Sequence, residues 1–367
     1  MNLYIHFPFC RRKCSYCALY SRVGSTADAR RQYIESIRVA LESLRVELGS
    51  IRVNQGSIRV DQGSDGVLSP LTIYFGGGSP ALCDLAPLRD ALHTLLAPTR
   101  PYPTLSDPIS PEFTVELHPL DVTSAKLDEL KSIGVNRISM GVQSLDDATL
   151  RAMGRGYTAD DAARAFALVK SRFDNAGIDL ILGYPGDPTT TNAEALLAPL
   201  ANWGLRHCSV YSLQNERGLK NVPDDDTVLD GIRAASRFLK SIGLSRYEIS
   251  NYAAPGFECR HNLAVWRGED YIGLGDGAYG RVGLKRTRGT KGGYETSEVS
   301  PAEDLKERTI FRLRTRDGLD ASRFPEWIPP LERFVAEGLL VKPGEGSIYR
   351  LTERGTEVCD AILEDIV

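Results

Sequence analysis

The sequence predicts an α/β protein built on a parallel sheet that is partly or wholly closed into a barrel. Six short runs of apolar and β-branched residues are each followed by an amphipathic stretch of helical length. Strands and helices that alternate in this way form parallel sheets with right-handed crossovers, and six such units suit a partial or complete barrel. In that architecture the functional residues lie at the carboxyl ends of the strands.

The predicted elements follow one another along the first two thirds of the chain. The strands are Leu3–Phe7, Leu71–Phe75, Phe113–Leu117, Arg137–Val142, Ile178–Leu182 and Cys208–Leu213. The helices are Asp28–Leu48, Leu85–Leu96, Ser124–Ile133, Ala159–Phe173, Ala193–Trp203 and Asp226–Ile242. Gly134 and Gly243 directly follow two of these helices, as glycine commonly does at a helix C-terminus.

A seven-residue repeat interrupts this pattern after the first helix. The segment Ser-Ile/Leu-Arg-Val recurs at Ser36, Ser43, Ser50 and Ser57, and glycines recur with the same period at Gly49, Gly56 and Gly63. Each glycine costs about 1 kcal/mol inside a helix. We therefore expect the first copies to belong to the first helix and the later ones, near residues 49–68, to form a solvent-facing insertion.

The composition is that of an ordinary globular protein with one large or two unequal domains. The 367 residues are 42% hydrophobic and 25% charged, with a net charge of −4, which excludes a disordered chain and gives no overall signature of nucleic-acid binding. No apolar run is long enough to span a membrane and no signal peptide is recognisable, so a cytoplasmic protein is expected. Seven cysteines, three of them within eight residues, favour metal or redox chemistry over disulfides.

Three regions are expected. Residues 1–250 would form the barrel, 251–300 a connecting region, and 301–367 a small module that resembles a winged helix. The module's predicted elements are helices at Glu303–Leu313, Pro330–Glu337 and Thr352–Ile366 and a hairpin of Leu339–Val341 with Ile348–Leu351. Acidic residues outnumber basic ones there, which argues against DNA binding and favours a structural cap on the larger domain.

The strongest motif directly follows the first strand. Cys10, Cys14 and Cys17 are spaced CxxxCxxC, and thiolates are soft ligands suited to iron–sulfur clusters, zinc or Cu(I). Structural zinc requires four ligands, and no fourth cysteine or histidine follows Cys17 closely. Three thiolates can instead hold three irons of a [4Fe–4S] cube and leave the fourth iron open for a ligand. The alternative is three buried cysteines that cluster by chance.

The residues around these cysteines resemble a known family. The segment from Tyr4 to Cys17, YIHFPFCRRKCSYC, resembles the cluster motif of radical S-adenosylmethionine (SAM) enzymes, in the branch of oxygen-independent coproporphyrinogen III oxidases and HemW-type haem chaperones. Three further segments resemble motifs of the same branch: GGGSP from Gly76, GVNRISMGVQS from Gly134, and DLILGYPG from Asp179. The resemblance covers nearly the whole chain and implies a partial barrel of six βα units, of the radical SAM type.

The resemblance also implies cofactors and their ligands. A [4Fe–4S] cluster on Cys10, Cys14 and Cys17 would bind SAM at its open iron and cleave it reductively to a 5′-deoxyadenosyl radical. The positions that match SAM-contacting residues of the family are Tyr4, Tyr16, Gly76, Gly77, Gly78, Ser79, Glu116, Gln143, Arg155 and Asp179. The glycines would let backbone approach the ligand closely. Taken one at a time, the polar residues could equally be surface or core residues.

Two segments point to a tetrapyrrole. His261 to Trp266, HNLAVW, resembles the HNxxYW motif of the haem chaperones, with Val265 in place of tyrosine, and implies haem contacts by His261 and Trp266. The alternative is that His261 is a loop histidine with satisfied hydrogen bonds. Cys259 and His207 are less favoured candidates for a haem ligand. A basic, glycine-rich stretch with Arg281, Lys285, Arg286, Arg288 and Lys291 is expected to form a cationic loop, which could face propionates at the barrel mouth or simply be solvated.

Three functions fit these observations. The first is a haem chaperone that carries the cluster and SAM and passes haem to an unidentified acceptor, using an unidentified electron donor. The second is oxidative decarboxylation of coproporphyrinogen III, but those oxidases usually carry CxxxCxxCxC and an N-terminal extension, whereas Leu19 occupies the extra cysteine position here. The third is a scaffold with a purely structural cluster. The sequence assigns no catalytic residue and no partner in nucleic acid or membrane.

Overall fold

The computed structural model describes residues 2–54, 72–96 and 111–366. The first eight strands in this part of the chain include six that match the predicted ones. They are β1 (Asn2–Phe7), β2 (Phe9–Cys10), β3 (Arg22–Val23), β4 (Thr72–Gly77), β5 (Glu112–Leu117), β6 (Arg137–Gln143), β7 (Ala176–Leu182) and β8 (His207–Ser212). Leu71 of the predicted second strand lies outside the described residues.

The accompanying helices overlap all six predicted segments, and a short helix, α4, is added. They are α1 (Ala27–Asn54), α2 (Arg89–Leu96), α3 (Ser124–Ser132), α4 (Asp147–Ala152), α5 (Ala159–Lys170), α6 (Thr189–Leu197) and α7 (Asp225–Ser241). The expected insertion near residues 49–68 is wrong in its first part, because α1 continues through Gly49 to Asn54. A single glycine costs less than the helix gains by continuing its hydrogen bonds. Residues 55–68 lie outside the described part.

The strands β1, β4, β5, β6, β7 and β8 pair in that order, each parallel to the next. This confirms the predicted parallel α/β sheet and is consistent with a partial barrel. Its strands are largely buried on both faces, as the near-continuous apolar sequence of β1 illustrates. Since the strands run the same way, the segments after Phe7, Gly77, Leu117 and Gln143 meet at one carboxyl edge.

Residues 245–298 extend this sheet on both sides. They form β9 (Ser245–Arg246), β10 (Asn251–Ala253), α8 (Arg260–Trp266), β11 (Tyr271–Leu274), β12 (Tyr279–Val282), β13 (Lys285–Thr290) and β14 (Gly293–Glu298). β10 pairs antiparallel with β8, and β11 pairs parallel with β1 and carries the meander β12–β14. The basic stretch was expected to be a loop, and this is wrong: most of it lies in strands.

The C-terminal residues pack around a second apolar core, centred on Trp327, Leu331 and Tyr349. Their elements are α9 (Pro301–Phe311), β15 (Leu319–Asp320), α10 (Ile328–Ala336), β16 (Leu340–Val341), β17 (Ile348–Leu351), α11 (Glu353–Glu357) and α12 (Cys359–Ile366). The predicted hairpin is present as β16–β17. The predicted last helix is divided at Val358, whose backbone leaves the helical region.

Most of the remaining cysteines are packing residues. Cys83 and Cys359 are buried in the two apolar cores, as the sequence predicted. None of the helices in the described part of the chain is long and apolar enough to cross a membrane.

Candidate functional site

The three clustered cysteines follow the carboxyl end of β1: Cys10 ends β2, and Cys14 and Cys17 lie on the loop between β2 and β3, the cysteine loop. All three are free and half-buried. Within the loop, Lys13 Nζ donates to Leu19 O over 2.6 Å and to Ser21 Oγ over 2.8 Å. Ser15 Oγ lies 2.9 Å from the hydroxyl of Tyr184, a residue that follows β7. The loop is therefore held in place by the protein itself.

The glycine strip, Gly76–Gly78 at the carboxyl end of β4, lies against this loop. A Cβ at Gly78 would lie 2.5 Å from Phe9 O and 3.0 Å from Cys10 Sγ, and Gly77 has φ of +100° with its Cβ position 2.4 Å from the His6 ring. Real Cβ atoms do not approach other atoms so closely, and a side chain strains a backbone with positive φ. Glycine is therefore required at both positions to bring the strand against the cysteine loop.

Ser79, between the glycine strip and Pro80, is buried. Its hydroxyl donates to Asp121 Oδ2 over 2.5 Å, and Arg11 Nη2 pairs with Asp121 Oδ1 over 2.6 Å. The serine that the sequence suggested as a SAM contact thus links the glycine strip to the cysteine loop through Asp121. Its lone pairs remain able to accept a hydrogen bond from a ligand.

Glu116, at the end of β5, faces the same edge. Gly77 N donates to its Oε2 over 3.1 Å and the hydroxyl of Tyr74 donates to its Oε1 over 2.9 Å. Burial and the neighbouring carboxylate of Asp179 raise the pKa of Glu116 to about 7. Burial also raises the pKa of Asp179, whose carboxylate accepts from Ser139 Oγ over 3.0 Å. Two interacting carboxyl groups therefore line this edge.

Gln143 and Arg155 complete the polar side of the edge. Gln143 ends β6 at a bulge, with φ of +70°. Arg155, between α4 and α5, donates to Gly141 O over 2.8 Å, and its Nη1 lies 3.3 Å from Cys14 Sγ and 3.4 Å from the hydroxyl of Tyr16. The structure thus brings Arg155, Tyr16 and the cysteine loop together.

Tyr4 belongs to the interior below this edge. Its hydroxyl lies 3.0 Å from His6 Nδ1, and its ring stacks on Tyr74 at 6.1 Å between centroids. Burial and the Glu116 carboxylate raise the pKa of Tyr4, so it stays protonated. Tyr4 on β1 and Glu116 on β5 are therefore joined through Tyr74 on β4, whose ring stacks on Tyr4 and whose hydroxyl donates to Glu116.

His261 lies at the opposite end of the barrel. It is buried on α8, with Nδ1 2.8 Å from Thr72 Oγ1 at the start of β4. Glu112, at the start of β5, accepts from His261 N over 3.1 Å and from Arg260 N over 3.0 Å. Burial and Arg137 lower the pKa of His261 to about 3, so its imidazole is neutral. The helix α8 thus closes the amino end of the barrel.

Trp266, His207 and Cys259 have other neighbours. The Trp266 ring makes an edge contact with Phe311 at 5.9 Å, and the Arg314 guanidinium lies over it at 5.4 Å, so it contacts the C-terminal module. His207 is buried and its Nε2 lies 2.8 Å from the Tyr247 hydroxyl. Cys259 is buried beside Glu112. His261 and Trp266 thus have different neighbours, Thr72 and Tyr74 for His261 and Phe311 and Arg314 for Trp266.

The basic stretch faces acidic side chains. Arg281, only 1% exposed, pairs with Glu307 over 3.2 Å, and Arg286 pairs with Glu307 over 2.7 Å and with Asp304 over 2.8 Å. These pairs hold α9 against the meander. The expectation of a free cationic loop is wrong for both arginines, because each is already neutralised by a carboxylate.

Sequence reasoning missed three residues of the site: Tyr74, Asp121 and Tyr184. Tyr74 had a usable signal, because a strand alternates its faces and residues 74 and 76 must point the same way. Asp121 and Tyr184 are joined to the cysteine loop only through tertiary contacts. No spacing in the sequence indicates those contacts.

The three thiolates are soft sulfur ligands, which fit an iron–sulfur cluster. In the described part of the chain, no group of three cysteine, histidine or acidic side chains converges as the ligands of one ion do. In a [4Fe–4S] cube each thiolate binds a different iron, so the three sulfurs need not converge. Any side chain at Gly78 would meet Cys10 Sγ and the adjoining backbone. Only backbone therefore lies beside the cysteine loop at this position.

A cysteine loop at the carboxyl edge of a partial barrel, lined by glycine backbone, is the architecture of radical SAM proteins. The profile of the radical SAM superfamily matches residues 4–195. Proteins named Heme chaperone HemW are similar along the chain: that of Bacillus subtilis is 29% identical and covers 100% of both chains, and that of Synechocystis is 31% identical over 88% of this chain and 80% of its own. The chain belongs to the HemW-type branch of the radical SAM superfamily.

A solved structure has the same fold. Coproporphyrinogen III oxidase (HemN) from Escherichia coli superimposes with a TM-score of 0.74, covering 100% of this chain and 89% of that one, at 18% identity. At that identity the likeness shows the shared fold and carries no conclusion about the reaction.

Proposed function

We propose that this protein is a haem chaperone that holds a [4Fe–4S] cluster and SAM at the carboxyl edge of its barrel. The observation that carries the proposal is the full-length similarity to proteins named Heme chaperone HemW. Thiolates that bind a cluster require a reducing environment, which fits the expected cytoplasmic location.

In this proposal Cys10, Cys14 and Cys17 hold the cluster, and Tyr4, Tyr16, Gly76, Gly77, Gly78, Ser79, Glu116, Gln143, Arg155 and Asp179 surround SAM. A bound cluster supplies one-electron chemistry to SAM. The protein's own part is to present charges of both signs: Arg155 for the carboxylate of SAM, and Glu116 with Asp179 for its cationic part.

The haem contacts proposed for His261 and Trp266 require a rearrangement. His261 Nδ1 is engaged with Thr72 and the Trp266 ring with Phe311. Haem would reach His261 only if α8 moved away from the amino end of the barrel. The neutral imidazole is the form that binds haem iron.

A haem titration of the reconstituted protein tests this function. We expect saturable binding, seen as a shift of the Soret band, that weakens in His261→Ala and in Trp266→Ala. His93→Ala, which alters an exposed histidine on α2, is the matched control and should bind haem as the unaltered protein does. Binding that is not saturable, or that is the same in all four proteins, would exclude the proposed haem site.

The oxidase alternative has a separate test. Anaerobic protein with an intact cluster, SAM, a strong reductant and coproporphyrinogen III should form no protoporphyrinogen if the chaperone function is correct. Protoporphyrinogen formed in step with 5′-deoxyadenosine would establish the oxidase instead.

A further inference from the structure

Tyr74 is a half-buried residue of β4 that lies between the two ends of the barrel interior. It precedes Gly76 by two residues, so both face the same side of the strand. Its ring stacks on Tyr4 at 6.1 Å and lies 5.1 Å from the His261 ring. These contacts fix the direction in which the phenol hydroxyl points.

That hydroxyl donates to Oε1 of Glu116 over 2.9 Å, while Gly77 N donates to Oε2 over 3.1 Å. Both donors belong to β4, the hydroxyl from a side chain and the N–H from the backbone, and each holds one of the two oxygens. A carboxylate held in this way keeps its remaining lone pairs in fixed directions and available to a ligand.

We propose that Tyr74 is a positioning residue of the SAM site, which fixes the Glu116 carboxylate as a charged acceptor for SAM. This inference rests on the SAM-binding part of the proposed function and is independent of haem. Tyr74 itself need not touch SAM, because its effect passes through Glu116.

The charges around Glu116 explain why a donor matters there. The titratable groups that act on it come from five strands: Tyr4 on β1, Tyr74 on β4, Arg137 on β6, Asp179 on β7 and Tyr211 on β8. Burial and Asp179 raise the pKa of Glu116 to about 7, and the hydrogen bonds from Tyr74 and Gly77 lower it. The pKa of Tyr74 is itself well above its usual value because of burial, so it remains a donor.

Removal of the Tyr74 hydroxyl should therefore let Glu116 gain a proton near neutral pH. A protonated carboxyl group attracts the positively charged sulfonium of SAM less than a carboxylate does. The expected loss of affinity is large near neutrality and small at high pH, where Glu116 is ionised in either protein. A purely structural role would weaken SAM binding to the same degree at every pH.

The test is equilibrium binding of SAM to anaerobically reconstituted protein between about pH 6 and about pH 9. For Tyr74→Phe we expect a Kd about 3- to 10-fold higher near pH 7, the size of one net hydrogen bond, approaching the unaltered value near pH 9. Tyr252→Phe is the matched control: it removes another buried tyrosine hydroxyl, whose partner is Arg246, and should leave the profile unchanged.

A double-variant cycle tests whether Tyr74 acts through Glu116. Glu116→Gln should weaken SAM binding and flatten its pH profile, and adding Tyr74→Phe should cause no further loss. Additive losses, or a loss in Tyr74→Phe that is equal at every pH, would overturn the proposal. So would a Tyr74→Phe protein that fails to incorporate iron while Tyr252→Phe succeeds, since a positioning role for SAM leaves the cluster in place.

The outcomes also separate this inference from the proposed function. If the unaltered, cluster-bearing protein fails to bind SAM, both fail. If it binds SAM and Tyr74→Phe binds equally well at every pH, only the role of Tyr74 is rejected.

Discussion

The guanidinium of Arg155 lies 3.3 Å from the sulfur of Cys14, although 141 positions separate the two residues in the sequence. Its other nitrogens are held by Gly141 O and the Tyr157 hydroxyl at 2.8 and 2.9 Å. With three of its nitrogens held, the guanidinium is fixed in place beside the cysteine loop. The loop and the opposite side of the barrel therefore act as one site.

Replacing Arg155 by alanine should weaken SAM binding far more than cluster binding. A charge-assisted hydrogen bond to the carboxylate of SAM corresponds to roughly a 10- to 100-fold change in Kd. The three cysteines remain, so the iron content should stay close to that of the unaltered protein. Arg151→Ala, an exposed arginine on α4, is the control; an equal loss in both variants would contradict the assigned role.

Substituting Gly78 by alanine should prevent cluster incorporation. The added Cβ would lie 2.5 Å from Phe9 O and 2.7 Å from Phe7 O, and both are backbone atoms that cannot rotate away. Overpacking of this kind costs roughly 1–3 kcal/mol and would displace Cys10. Iron and sulfide analysis after reconstitution measures the effect. Gly346→Ala, where nothing lies within 4 Å of the new Cβ, should reconstitute fully.

The sequence predicted the central sheet well because each buried strand carries its own local pattern of apolar residues. The sequence also predicted the cysteine loop and the glycine strip, because each of them is a short contiguous motif. The hydrogen bond from Ser79 to Asp121 and the ion pairs of Arg281 and Arg286 could not be read in this way. Those partners are distant in sequence, so only the packing of β12–β14 against α9 reveals that the basic stretch is neutralised.

The buried histidine His207 should make the protein less stable in acid. Burial lowers the pKa of His207 well below its ordinary value of 6.5, while the unfolded chain titrates near 6.5. The contribution of neutral His207 to stability is therefore fully present above about pH 6.5. Below that pH the free energy of unfolding decreases by up to about 1.4 kcal/mol per pH unit because of this histidine.

The measurement is the free energy of unfolding by urea at several pH values below neutrality. His207→Gln should reduce the slope of the unfolding free energy against pH by the equivalent of up to one proton taken up on unfolding. This holds even if the substitution lowers stability at neutral pH. His93→Gln should leave that dependence unchanged, because His93 is exposed. An unaltered slope in His207→Gln would mean that this histidine is not held neutral in the folded protein.

Glu307, on α9, should matter more to stability than an exposed carboxylate of the meander against which α9 packs. It pairs with Arg281, 1% exposed, and with Arg286, 18% exposed, so its removal would leave two guanidinium groups with less compensation. An uncompensated buried charge costs roughly 2–3 kcal/mol or more. Glu295, by contrast, is 69% exposed and only 4.0 Å from Arg288. Urea unfolding should show a loss of roughly 2–3 kcal/mol for Glu307→Gln and less than about 0.5 kcal/mol for Glu295→Gln. Equal losses would show that the meander and α9 are not held together by this ion-pair network.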